Sequence, residues 1–133
     1  MLKNIDHLGI AVNSLDDSMH LYENILGLEC HGQETVEDQE VNIAFYKVGD
    51  TKIELLESTS IDGPIARHID ARGQGLQHIA YQVADIEEAI AELLNKGMTM
   101  LDKTPRRGAG GARIAFLHPK STNGILIELC ERT

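Results

Sequence analysis

The 133-residue chain predicts an α+β fold made of two βαβββ modules within a single domain. Three observations predict it. The segment His7-Leu8-Gly9-Ile10-Ala11-Val12 recurs 71 residues later as His78-Ile79-Ala80-Tyr81-Gln82-Val83, and self-similarity at a fixed offset marks an internal duplication. Both copies alternate bulky apolar residues with small or polar ones, the period-two signature of a strand. Behind each copy comes an apolar stripe at helical spacing, then further short strand-like runs.

The elements follow in order. His7 and His78 are expected to open the first strand of each module. Ser14 caps a first helix whose stripe is Leu15, Met19, Tyr22, Ile25 and Leu26, ending at Gly27. Asp85 caps its counterpart, with Glu88 three residues on completing a capping-box pattern. The second stripe is Ile86, Ala89, Ile90, Leu93 and Leu94, stopped by Gly97. Three strands are expected after the first helix, at about 28–31, 41–48 and 52–56, the last two joined by a Gly49-Asp50 turn. The second module supplies strands at about 98–101, 113–118 and 125–131, with Pro119 and Asn123-Gly124 in the last connection. The modules span about 1–57 and 75–133. The linker, about 58–74, contains a short helix over 64–72 before Gly73.

Composition bounds the function classes. Hydrophobic residues make up 42% and charged residues 25%, an ordinary globular balance. Twelve Lys+Arg against 21 Asp+Glu give −9, and aromatics are only 4%, which argues against nucleic acid as a partner. No apolar run reaches transmembrane length. The opening residues lack the apolar core of a secretion signal, so a cytoplasmic location is expected. The charge is uneven: residues 1–66 hold three Lys/Arg and 13 Asp/Glu, whereas residues 67–133 hold nine and eight.

The repeat also duplicates ligand-type residues. His7 and His78 share their strand faces with the small or polar residues, Gly9 and Ala11 in one copy, Ala80 and Gln82 in the other. Glu54, in Ile53-Glu54-Leu55, and Glu128, in Ile127-Glu128-Leu129, close the two modules. Two imidazoles and two carboxylates form a mixed N/O set suited to a divalent ion such as Co, Ni, Zn, Mn or Fe(II). The remaining histidines read otherwise: His20 and His31 on the surface, His68 in the linker helix, His118 in a turn. Cys30 and Cys130 read as small apolar residues, and two cysteines make no disulfide scaffold.

At these residues the chain resembles the vicinal oxygen chelate (glyoxalase/bleomycin-resistance) superfamily over nearly its whole length. Three stretches, IDHLGIAVNSLDDSMHLYENILGL, GLQHIAYQVADIEEAI and above all GGARIAFLHPKSTNGILIEL, are similar to the methylmalonyl-CoA epimerase family. The resemblance implies curved mixed sheets around a metal cup, with His7, Glu54, His78 and Glu128 as ligands. Some members have Gln at the Glu54 position. It also implies inversion at C2 of methylmalonyl-CoA by proton removal and return, a divalent metal, no organic cofactor and a homodimer.

Such a reaction needs a proton acceptor and a donor on opposite faces of the carbon. Glu128 is one candidate. By alignment Asp38 is the second, with Glu37 and Glu40 as neighbours in the acidic run Glu34–Glu40. Lys103, Arg106, Arg107, Arg113 and Lys120 cluster about Gly108-Ala109-Gly110-Gly111, where phosphates of coenzyme A could be held. Arg106, Arg107, Lys120 and the adjacent Ser121 are therefore substrate-binding candidates. Three rival readings remain open. Lactoylglutathione lyase shares the fold and ligand set but not the 111–129 segment. A metal-free binding module of the resistance type predicts other residues at positions 7, 54, 78 and 128. An extradiol dioxygenase would use two His and one carboxylate on Fe(II), usually in a longer chain.

Overall fold

The computed structural model describes residues 1–132. The chain divides into two compact units, His7–Gln77 and the chain from His78 onward together with Met1–Asp6. It is a mixed α+β protein with eight strands and three α-helices among the described residues, the fold class that the repeat predicts. No helix there is long and apolar enough to cross a membrane.

The unit His7–Gln77 has the strand order β2-β3-β4-β1, with β1 at Leu2–Ala11, which enters it at His7, β2 at Cys30–Val36, β3 at Val41–Val48 and β4 at Thr51–Ser58. β1 and β4 are parallel, while β3 pairs antiparallel with both β2 and β4. The Gly49-Asp50 turn forms as expected, with Gly49 at φ +62°, where a side chain would be strained. α1 runs Leu15–His20, and Ser14 Oγ accepts the Asp17 N–H at 3.2 Å. Val12, Leu15, Ala44, Tyr46 and Leu55 form the core beneath it, with Ile10 and Ile53 packed alongside. The bulky face of β1 thus lies under the helix, as its alternation predicts. α2, Pro64–Arg72, occupies the expected linker helix and ends at Gly73.

The other unit has the order β5-β8-β7-β6, with β5 at Gly75–Val83, β6 at Arg106–Arg107, β7 at Arg113–Phe116 and β8 at Ile127–Glu131. β5 and β8 are parallel; β7 runs antiparallel to both β8 and β6. α3, Ile86–Asn95, is capped by Asp85, whose Oδ1 accepts the Glu88 N–H at 3.0 Å. Its apolar stripe packs on Val83, Met100, Ala115, Leu117 and Leu129.

Four expectations need correction. The first strands begin at Leu2 and Gly75, so His7 and His78 sit within them rather than opening them. The helix expected over 14–26 is α-helical only to His20 and widens into a π-helical turn, Leu21–Ile25. That turn carries Tyr22 against the Tyr46 ring, at 5.7 Å, and Glu23 to its hydroxyl, which donates at 2.7 Å. β2 lies at Cys30–Val36, not 28–31. No strand forms at 98–101; Met100 makes a single bridge to Leu117. There the Phe116 N–H donates to the Asp102 side chain at 2.9 Å, so a carboxylate replaces the backbone acceptor that a ladder would need. The edge strand is instead the two-residue β6.

Candidate active site

In the His7–Gln77 unit, Gly9 stands beside Glu54 across the β1–β4 pair, and Phe45 lies opposite Glu54 from β3. His7 Nδ1 is 3.4 Å from Glu54 Oε2. Directly opposed residues share a sheet face, so His7, Gly9, Ala11, Glu54, Leu56, Ile43 and Phe45 form one face. It is the face opposite the α1 core. Glycine and alanine next to the histidine leave the space above that face open.

The second unit repeats the arrangement, with the other imidazole nitrogen toward the glutamate. Ala80 stands beside Glu128 across the β5–β8 pair, and Phe116 lies opposite Glu128 from β7. His78 Nε2 is 3.4 Å from Glu128 Oε1, and the Phe116 ring meets His78 edge-on at 5.6 Å. The two phenylalanines of the chain thus occupy equivalent places, one against each glutamate.

All four ligand candidates are buried: His7 is 4% exposed, Glu54 3%, His78 5% and Glu128 4%. Buried carboxylates are costly unless partnered or bound to a cation. The donor set fits a divalent ion. Two donors each about 2.1 Å from one ion, at a tetrahedral angle, lie about 3.4 Å apart. That is the His–Glu separation in both units.

The glutamate three residues beyond each ligand candidate acts on the other face. Glu57 Oε2 accepts the Leu15 N–H at 3.3 Å, and Glu131 Oε1 accepts the Ile86 N–H at 2.8 Å. Each satisfies a donor at the start of a helix. The spacing Glu-x-x-Glu in IELLE and IELCE is legible in the sequence, since an odd offset on a strand reverses the face.

The substrate-binding candidates separate. Arg106 is opposite Ile114, on the face of Glu128, and its guanidinium lies 5.6 Å over the Phe116 ring, with Nε 3.3 Å from Asp102. Arg107 pairs with Arg113 on the reverse face, where Arg113 binds Glu87 and Glu131. Lys120 is exposed. Ser121 Oγ accepts the Thr99 N–H at 3.0 Å, a bond that ties the turn to the segment before it. Gly108 is required where it stands, because a Cβ there would come within 2.8 Å of Ile114. Asp38 sits in an exposed 3-10 turn, Glu37–Gln39, beyond the end of β2.

The His20 ring bonds Asn24 at 2.7 Å, and His118 Nδ1 accepts the Lys120 N–H at 3.1 Å. His68 is held below the usual imidazole range by burial and then by Arg72. Burial, reinforced by nearby Asp6, pushes the Cys130 thiol up to about 12, so it is no thiolate nucleophile. One group absent from the sequence reading is Asp6, buried and held by Arg132 through two bonds of 2.9 Å. Its 126-residue separation leaves no local signal.

Comparison with known proteins places these residues in context. The profile of the Glyoxalase/Bleomycin resistance protein/Dioxygenase superfamily matches residues 6–116. The chain is 45% identical to the uncharacterized protein YqjC of Bacillus subtilis (strain 168), over 98% of this chain and 93% of that one. It is 36% identical to the mitochondrial methylmalonyl-CoA epimerase of Dictyostelium discoideum, over 96% of this chain and 78% of that one. A solved structure of methylmalonyl-CoA epimerase in complex with methylmalonyl-CoA and NH4+ matches with 37% identity and a TM-score of 0.96, covering 100% of this chain and 96% of that one. By profile, by sequence and by structure, the chain belongs to the glyoxalase/bleomycin resistance protein/dioxygenase superfamily.

Proposed function

We propose that the protein is a methylmalonyl-CoA epimerase, an isomerase that inverts C2 of its acyl-CoA substrate by removing and returning a proton. The observation that carries the reading is the duplicated buried His–Glu contact, His7–Glu54 and His78–Glu128. It stands in a chain similar throughout its length to an epimerase that holds methylmalonyl-CoA.

His7 and Glu54 in one unit, and His78 and Glu128 in the other, are the residues assigned to a divalent ion, Co, Ni, Zn or Mn. Such an ion would supply Lewis-acid stabilisation of the negative charge that develops when the proton α to the thioester leaves. The chain's own residues do the rest. Gly9, Ala11 and Ala80 leave room for the acyl group beside the histidines. Phe45 and Phe116 border the glutamates with apolar surface, which strengthens electrostatic interactions at that place. Glu128 is a candidate for one of the two proton transfers. Arg106 faces the same side as Glu128 and can meet a carboxylate or a phosphate of the substrate. Arg107, Lys120 and Ser121 remain assigned to the coenzyme A portion in this reading, in a cytoplasmic homodimer.

The test is proton exchange. One epimer of methylmalonyl-CoA in D₂O should acquire deuterium at C2, and EDTA should abolish the exchange until a divalent ion is restored. Turnover of the methylglyoxal–glutathione adduct without C2 exchange would assign the protein to lactoylglutathione lyase. Purified protein that neither contains nor responds to a divalent ion would fit a metal-free binding module. Sedimentation checks the dimer.

A further inference from the structure

An epimerase needs a second proton-transfer group besides Glu128, and the geometry points to Glu34. This inference rests on the epimerase reading. β2 does not run regularly along β3: Cys30 pairs with Tyr46, but Gly32 pairs with Phe45, so His31 is an extra residue, a β-bulge. Without it, Glu34 would lie opposite Asn42 on the α1 side. With it, Glu34 lies opposite Ile43, which lies opposite Leu56, two residues along from Glu54 on the same face. The bulge turns Glu34 onto the face of His7 and Glu54. Burial agrees: Cys30, before the bulge, packs with the α1 core, while Glu34 is half-buried between exposed Gln33 and Thr35.

The same face is otherwise poor in acids. β3 contributes Val41, Ile43 and Phe45, and β1 contributes His7, Gly9 and Ala11. β4 contributes Lys52, Glu54, Leu56 and Ser58. Glu34 is therefore the carboxyl group of that face that is not itself a ligand candidate. Glu37, Asp38 and Glu40 belong to the exposed turn and its end, past the strand.

In the reaction, the C2–H bond of one epimer breaks and its electron pair becomes the C1–C2 double bond of the enolate. The proton passes to a Glu34 carboxylate oxygen. A second group returns a proton to the other face of C2, and exchange with solvent resets both groups. Read in reverse, Glu34 is the donor.

The experiment compares Glu34→Gln, Glu34→Asp and Asp38→Asn in D₂O with each epimer, alongside metal content and Tm. Glu34→Gln should lower the epimerisation kcat about 10²-fold or more, with metal content and Tm unchanged. One epimer should still exchange C2–H with solvent without converting, and the other should be inert; Glu34→Asp should restore part of the rate. Epimerisation by Glu34→Gln within threefold of wild type overturns the proposal. So does loss of exchange from both epimers together with loss of metal, or a loss that follows Asp38→Asn instead. Wild-type protein that exchanges neither epimer sinks the epimerase reading itself, a result distinguishable from every one of these.

Discussion

The two units use one plan to different ends. In each, a strand histidine meets a glutamate at 3.4 Å, a phenylalanine stands opposite that glutamate, and a second glutamate caps the helix. The differences lie at the edge strands and on the outer face. Opposite Ile43 the edge residue is Glu34; opposite its counterpart Ile114 it is Arg106. In the proposed reaction one edge would offer a base and the other a cation for an anionic substrate. The two units thus share the His–Glu arrangement and differ in charge at one edge position. On the outer face, Arg113 fills the space between Glu131 and Glu87 in one unit. The other has Asn42 there, and a cavity of about 430 Å³ remains, lined by Asp16, Glu57 and Asn42 among others.

The sharpest way to break the comparison is to replace the two candidate ligand glutamates in turn. Glu128→Gln should cost about 10³-fold in kcat, since the amide keeps an oxygen donor but cannot take or return a proton. Glu54→Gln should stay within about tenfold, because an amide oxygen still offers a donor. Equal losses in steady-state rates would erase the proposed distinction between the pairs.

Next comes stability. Asp6 and Arg132 form a partly buried ion pair in the second unit, where the equivalent positions of the first are Gln77 and Ser58. Asp6→Asn should destabilise the protein by about 2 kcal/mol, because the half-buried guanidinium loses two charge-assisted bonds. Urea denaturation measures it, and Gln77→Ala should cost less.

A smaller effect separates neighbouring arginines. Arg106→Ala should raise KM for the acyl-CoA about tenfold with kcat little changed, whereas Arg107→Ala, on the reverse face, should change KM less. Equal effects would show that the coenzyme A portion crosses both faces of β6. Least of all, Asn42→Arg should place a guanidinium beside Asp16 and Glu57 as Arg113 stands beside Glu87 and Glu131. Calorimetry should show a slight rise in Tm; a fall would show that the loss of the bond from Thr35 Oγ1 to Asn42 Oδ1 outweighs the new pairs.

Much of this was legible in the chain. The 71-residue offset, the period-two faces of His7 and His78, the helix caps Ser14 and Asp85 and the four ligand candidates are local or repeated patterns, and local chemistry suffices to read them. The opposite face of Glu57 and Glu131 is legible from the odd offset, but the helix N–H groups they accept, 42 and 45 residues away, are not. Asp38 shows the limit: the acidic run does not reveal that this residue stands in an exposed turn past the end of β2.

The sequence by itself determined the duplicated plan, the residue types at each histidine and glutamate, and which strand face each occupies. Tertiary structure alone decided the rest. Whether Glu34 turns inward depends on one extra residue in a pairing with a distant strand, and Arg106 parts from Arg107 only once both are in register with β7. Asp102 breaks an expected strand by taking the Phe116 N–H, and Asp6 finds Arg132 across nearly the whole chain. A side chain's face along one strand follows from its own period of two, but which strand it opposes, and in what register, is set by contacts between residues far apart in the chain.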